Sequence, residues 1–179
     1  MQKSLKKNCF KIGVLGGTFD PPHRGHLHIS KVALKKLKLN KLIWMVTKKN
    51  PLKRKPYLDL KIRIKLSKKI TKKEKKIFVQ HIDNKIKSNK TFDLLNSLKK
   101  KNKKAKIFFL IGADNLVKFH KWNRWKEIPK LATMVIFPRK DYPIKALNPI
   151  ASKKLNKKDF IYINSKKINI SSSLIRKFW

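Results

Sequence analysis

KIGVLGGTFDPPHRGH, Lys11 to His26, decides the fold. Its first six residues form a short apolar run that ends on glycine, the pattern of a buried strand. Gly16 and Gly17 let the backbone turn tightly and approach a ligand closely. Residues 25–39, GHLHISKVALKKLKL, follow as a helix, with Leu27, Val32 or Leu34, and Leu37 at roughly helical spacing and lysines between them. The start of a helix offers unpaired N–H groups and a positive dipole end to a phosphate. His23 and His26 lie three residues apart across that start, so both rings can face one phosphate group. The spacing fits neither the Walker loop, G-x-x-x-x-G-K-[ST], nor the dinucleotide fingerprint, G-x-G-x-x-G. Two histidines this close are also commonly structural.

Outward from that junction, strand and helix patterns alternate. Strands are predicted at 41–46 (KLIWMV), within 76–82, at 106–112 (KIFFLIG), 131–137 (LATMVIF) and 160–164 (FIYIN). A lysine-rich helix is predicted over 57–70 from Leu58, Ile62, Leu66 and Ile70 at i, i+4 spacing. Another begins at Thr91, read as its N-cap, with Asp93 in the favourable first turn. One or two short helices are expected in 114–128, and a last helix opened by Ser171 to Ser173. Residues 47–56, TKKNPLKRKP, read as a loop. Strands that are continuous apolar runs, alternating with helices, predict a parallel sheet covered on both faces. Ligands in such folds bind beyond the carboxyl ends of the strands.

Composition narrows the class. The chain has 179 residues, 41% of them hydrophobic, which suits one folded domain over 1–179. Cys9 is the single cysteine, so no internal disulfide forms, which fits a reducing, cytoplasmic setting. The N-terminus carries no apolar run of secretory length, and no stretch approaches the roughly 20 apolar residues of a membrane span. The formal net charge is +40, with 49 basic residues of which six are arginine. Nucleic-acid binding is one reading of that charge. The other is compositional drift: Ile (20) and Asn (13) are abundant too, as an AT-rich genome would encode them. The lysines are spread along the chain, and runs such as KKEKK and KKKNKK read as solvated surface. Either way, the field attracts anionic small molecules.

Two further segments carry chemistry. In ISSSLIR, Ile170 to Arg176, serine hydroxyls and N–H groups at a helix start can hold a phosphate, with the Arg176 guanidinium one turn on. An ordinary serine cap beside a surface arginine is the alternative. In FLIGADNL, Phe109 to Leu116, a strand ending in Gly-Ala-Asp puts a carboxylate at the ligand edge of the sheet. Asp114 there either accepts hydrogen bonds from ribose hydroxyls or caps the next helix. Trp122 and Trp125 follow, and both suit a core. His28, His81 and His120 have no comparable context.

Taken together, GGTFDPPHRGHL, IGAD…W and ISSSLIR resemble, in order, the motifs of the nicotinate-nucleotide adenylyltransferases, within the nucleotidyltransferases marked by His-x-Gly-His. The resemblance runs from Ile12 to Arg176. It implies an α/β, Rossmann-like, doubly wound parallel sheet with helices on both faces. It also implies adenylyl transfer from ATP to nicotinate mononucleotide, giving deamido-NAD and pyrophosphate. His23, His26 and Arg176 would be catalytic. Gly16, Gly17, Thr18, Phe19, Gly25, Gly112, Asp114, Ile170, Ser171 and Ser172 would bind ATP. Trp122 would stack on the nicotinate ring, with Trp125 left to packing. Residues 88–95, SNKTFDLL, resemble the family's Ser-x-Thr-x-Asp-Thr-Leu, with Leu94 in place of the second threonine; Thr91 would bind the nicotinate carboxylate. Lys53, in the stretch WMVTKKNPLK, would contact the mononucleotide phosphate. Mg²⁺ would arrive on ATP with no dedicated protein site, since nine acidic residues form no cluster. The rival acceptors are nicotinamide mononucleotide and phosphopantetheine. The rival of another class is a basic nucleic-acid-binding protein with a decayed site.

Overall fold

A computed structural model describes residues 9–52, 54–139, 159–165 and 170–179. Six strands, β1 (Lys11–Gly17), β2 (Lys41–Val46), β3 (Ile77–Gln80), β4 (Lys106–Gly112), β5 (Thr133–Phe137) and β6 (Phe160–Tyr162), form one sheet in the order β3-β2-β1-β4-β5-β6. Every neighbouring pair is parallel. The helices are α1 (Arg24–Lys36), α2 (Leu60–Thr71), α3 (Asp83–Ile86), α4 (Thr91–Lys101), α5 (Ala113–Val117), α6 (Ile128–Leu131) and α7 (Ser172–Arg176), with a 3₁₀ turn at Phe119–Lys121. Among the described residues, no helix is long and apolar enough to cross a membrane.

The apolar strands feed two cores because successive side chains leave a strand on opposite faces. Ile12, Val14, Ile43 and Met45 join Phe109, Leu95 and Ile128 on one face. Leu15, Leu42, Trp44 and Val46 join Ala33 and Leu110 on the other. The sheet is thus buried on both sides, which accounts for strands without polar alternation. Strand order reverses between β1 and β4, and the carboxyl ends of both strands open onto one crevice at that switch point.

Several boundaries differ from the sequence reading. Helix α2 begins at Leu60, not 57, because the Tyr57 and Leu58 N–H groups donate to the Asp20 carboxylate, both at 2.9 Å. Its inward face also differs. Ile62 is exposed, while Arg63, Ser67 and Thr71 are buried at i, i+4 spacing. Thr91 is the first residue within α4 and Lys90 its N-cap, so the threonine caps nothing; Asp93 does sit in the first turn. Strand β3 is limited to Ile77–Gln80, β5 starts at Thr133 after Leu131 closes α6, and β6 ends at Tyr162. The short helix α3 lies between β3 and α4, where no element is predicted from the sequence.

Candidate active site

A cavity of about 740 Å³ occupies the switch-point crevice, a volume typical of small-ligand clefts. Gly16, Gly17, Thr18, Phe19, His23 and His26 of the first motif line it, together with Thr91, Gly112, Asp114 and Trp122 and with Ser171, Ser172 and Arg176 of the last. Motifs separated by up to 160 positions in the chain therefore meet at one place. Gly25 and Ile170 do not line the cavity. They serve the histidine instead: a Cβ at Gly25 would lie 2.9 Å from His23 Nδ1 and 3.0 Å from the Ile170 Cγ2. Lys53 lies outside the described residues.

The histidine pair is built from the helix start upward. His23 is the N-cap of α1 in extended conformation. Its backbone N–H donates to His26 Nδ1 at 3.2 Å, so the neutral His26 ring carries its proton on Nε2. The two rings sit 3.7 Å apart between centroids. Beneath them Phe19 stacks on Trp44 at 4.8 Å, and His26 tilts against Phe19 at 4.9 Å. Trp44 Nε1 donates to Ser30 Oγ, which donates to the His26 carbonyl, both at 2.8 Å. The aromatic bed fixes where the imidazoles point. His23 is buried, and its Nδ1 has no hydrogen-bond partner. Burial first, and the charge of Arg139 second, push the His23 imidazole down to about 4. At neutral pH it is a neutral ring offering one N–H donor, suited to a phosphate oxygen rather than to proton storage.

The C-terminal motif folds back onto that loop. The Ser171 side chain caps α7 by accepting from Leu174 N–H at 3.1 Å. Ser172 Oγ donates to the Pro21 carbonyl at 2.9 Å. Arg176 donates to the Asp20 carbonyl, and its Nη1 stands 3.6 Å from Asp20 Oδ2. The guanidinium also lies over the Tyr57 ring at 5.0 Å. A serine does cap the helix, and the arginine lines the cavity.

Asp114 sits in the first turn of α5, whose N-cap is Gly112. It makes no cap hydrogen bond, and its buried Oδ1 has no hydrogen-bond partner. A side chain at Gly112 would collide with that same oxygen, so the glycine keeps the carboxylate against the strand end. Trp122 packs edge-on against Phe119 at 5.4 Å and Phe109 at 6.1 Å while still lining the cavity; Trp125 packs on Phe119 away from it. Ser88 donates to Asp93 Oδ2 at 2.6 Å and does not line the cavity, whereas Asn89 and Thr91 do. Counting back two positions from Thr91, as Ser-x-Thr requires, lands on Asn89. Leu94, the departure from the motif, is 2% exposed and belongs to the core.

Sequence reasoning missed Asp20, Arg63 and Arg139. Asp20 stood inside the quoted motif, but its contacts to residues 57, 58 and 176 are long-range. Arg139 lines the cavity with its Nε 3.5 Å from Asp114 Oδ1. The scarcity of arginine was the usable cue: of six in the chain, Arg54, Arg139 and Arg176 line this one cavity. Among the described residues, no group of three His, Cys, Asp or Glu gathers as a metal site.

A strand-to-helix turn with two imidazoles, an arginine and a carboxylate lining one crevice is the kind of site an α/β nucleotide-handling protein has. Residues 14–178 match the cytidylyltransferase-like family. A Pelagibacter ubique protein named as a probable nicotinate-nucleotide adenylyltransferase is 49% identical over 176 residues, covering 98% of this chain and 97% of its own length. One of the same name from Aliarcobacter butzleri is 38% identical over 167 residues, 93% and 86% of the two chains. The chain belongs to the cytidylyltransferase-like family, among the nicotinate-nucleotide adenylyltransferases. Its fold is that of the Plasmodium falciparum nicotinic acid mononucleotide adenylyltransferase complexed with NaAD, with TM-score 0.76, 22% identity, and coverage of 94% and 83%.

Proposed function

We propose that this protein transfers the adenylyl group of ATP to nicotinate mononucleotide, releasing pyrophosphate and forming deamido-NAD. An oxygen of the mononucleotide phosphate attacks the α-phosphorus of ATP. The bond from that phosphorus to the bridging oxygen breaks, and its electrons leave with pyrophosphate. The attacking oxygen is already anionic, so no strong base is required. The work left to the protein is alignment and stabilisation of charge on the departing group.

The observation that carries this reading is the His23–His26 pair, 3.7 Å apart at the start of α1, sharing a cavity with Arg176 and Asp114. Both imidazoles donate N–H groups to α- and β-phosphate oxygens. Arg176 leaves its contacts to Asp20 for the leaving phosphates. Asp114 Oδ1 accepts from a ribose hydroxyl, while Thr91 and Trp122 receive the pyridine ring. Magnesium enters on ATP as part of the substrate. The two carboxylates at the cavity, Asp20 and Asp114, already face Arg176 and Arg139, a donor set that fits phosphate-borne metal better than a protein cage. The names of the relatives support nicotinate mononucleotide as acceptor.

The test is pyrophosphate release from MgATP offered nicotinate mononucleotide, nicotinamide mononucleotide or phosphopantetheine in parallel. Turnover with the first alone is expected. Preference for another acceptor would overturn the named substrate, and no turnover with any would overturn the reaction.

A further inference from the structure

We infer that Arg63 is a positioning residue that holds the ATP-side and mononucleotide-side walls of the cavity in one register. Arg63 is 2% exposed, yet lies on a helix otherwise rich in solvated lysine. Four of its five N–H groups donate to carbonyl oxygens. Nε donates to Leu58 O at 2.9 Å, Nη1 to Thr18 O at 2.5 Å and Thr47 O at 2.8 Å, and Nη2 to Lys48 O at 3.0 Å. Burying a cation is costly unless its donors are satisfied, and the planar fork satisfies several at once where an ammonium cannot.

The identity of the partners gives the role. Thr18 belongs to the loop that cradles the ATP phosphates under the proposed function, on which this inference rests. Thr47 and Lys48 lead out of β2 into the loop carrying Lys49, Arg54 and Lys55 to the cavity. Thr18 and Thr47 both line the cavity, and Arg63 does not. A backbone bond at the end of the β1–β2 ladder also joins the two walls directly, from Thr47 N–H to Gly17 O at 2.9 Å. The entry to α2 is bracketed from both sides: Asp20 holds the Tyr57 and Leu58 N–H groups, and Arg63 holds the Leu58 carbonyl. On that reading the cations Lys49, Arg54 and Lys55 face the acceptor's phosphate, and Arg63 spans the seam between their loop and the ATP wall. In-line transfer depends on the distance across that seam more than on either wall alone.

Steady-state kinetics of Arg63→Lys, with the folded fraction checked by circular dichroism, tests this. Lysine keeps the charge and loses the fork, so kcat is expected to fall at least about tenfold while each KM moves less than about threefold. A purely structural role would lower Tm and leave kcat per folded molecule unchanged, which would overturn the proposal. Arg63→Ala supplies a second variant, with kcat partly restored by millimolar guanidinium ion. Amide exchange at Thr47 supplies a readout independent of turnover. Faster exchange is expected in Arg63→Lys, since the Thr47–Gly17 bond loses its brace. Unchanged exchange would overturn the clamp whatever the substrate; a wild-type enzyme inactive on nicotinate mononucleotide would overturn the functional reading alone.

Discussion

The two walls of the cavity are held by different chemistry. On the wall proposed to take ATP, backbone and side chain are interlocked: His23 N–H to His26, Ser172 to Pro21, Arg176 to Asp20, and the Tyr57 and Leu58 N–H groups to Asp20. On the wall proposed to take the mononucleotide, residues 49–52 have looser ties, such as Leu52 N–H to its neighbour Asn50 and Asn89 to the Lys49 carbonyl at 3.3 Å. One wall is a prebuilt anion cradle, and the other a strip of cations on an exposed loop. Local stability varies in this way wherever exposed contacts replace buried ones. The contrast predicts that substitutions in the cradle act on the rate of transfer and that substitutions on the opposite wall act on acceptor affinity.

His23→Ala and His26→Ala bear on the cradle most heavily. Each removes a prepositioned donor, and kcat should fall about 100-fold or more with the far-ultraviolet spectrum unchanged; kcat within threefold would detach that histidine from the chemistry. Arg176→Lys keeps a charge but loses the bidentate fork, and a fall of about 10- to 100-fold in kcat is expected. Trp122→Ala attacks the part of the cavity proposed to take the pyridine ring. Loss of ring stacking should raise the KM for the mononucleotide roughly tenfold with the KM for ATP little changed. Equal effects on both substrates would erase the distinction between the walls.

Stability against pH offers a smaller effect on the cradle. Folding lowers the His23 pKa from 6.5 to about 4, so between those values the unfolded chain binds more protons than the folded one. Its contribution is therefore complete above about pH 6.5 and is lost as pH falls towards 4, of order 3 kcal/mol at most. A flatter urea-stability profile in His23→Gln across that window checks the sign. The smallest effect belongs to an exposed pair that does not line the cavity. Arg124 and Glu127 pair at 2.6 Å on the surface, and Glu127→Gln should leave Tm within about 1 °C.

The cradle was legible in the sequence because its parts are local: a strand, two glycines and a helix start fix one another within 16 residues. The pairing of that loop with ISSSLIR was legible only through the family's motif order. Arg63 was not legible. The i, i+4 leucines and isoleucines of α2 suggested an apolar inner face, whereas the buried row is Arg63, Ser67 and Thr71. Leu60, Ile64 and Ile70 still pack on the core; what turns Arg63 inward beside them is the set of carbonyls at residues 18, 47, 48 and 58, which tertiary structure alone assembles. Thr91 failed as a cap for a local reason: the chain enters α4 one residue early, with Lys90 extended. The diffuse lysine charge said little, since the informative cations were the few arginines.

The stereochemical course at the α-phosphorus tests the central claim most directly. Adenylyl transfer from ATPαS of one configuration to nicotinate mononucleotide is followed to the configuration of the phosphorothioate product. Direct attack within one cavity predicts inversion; retention would mean a covalent enzyme intermediate and would contradict a site that works by alignment alone.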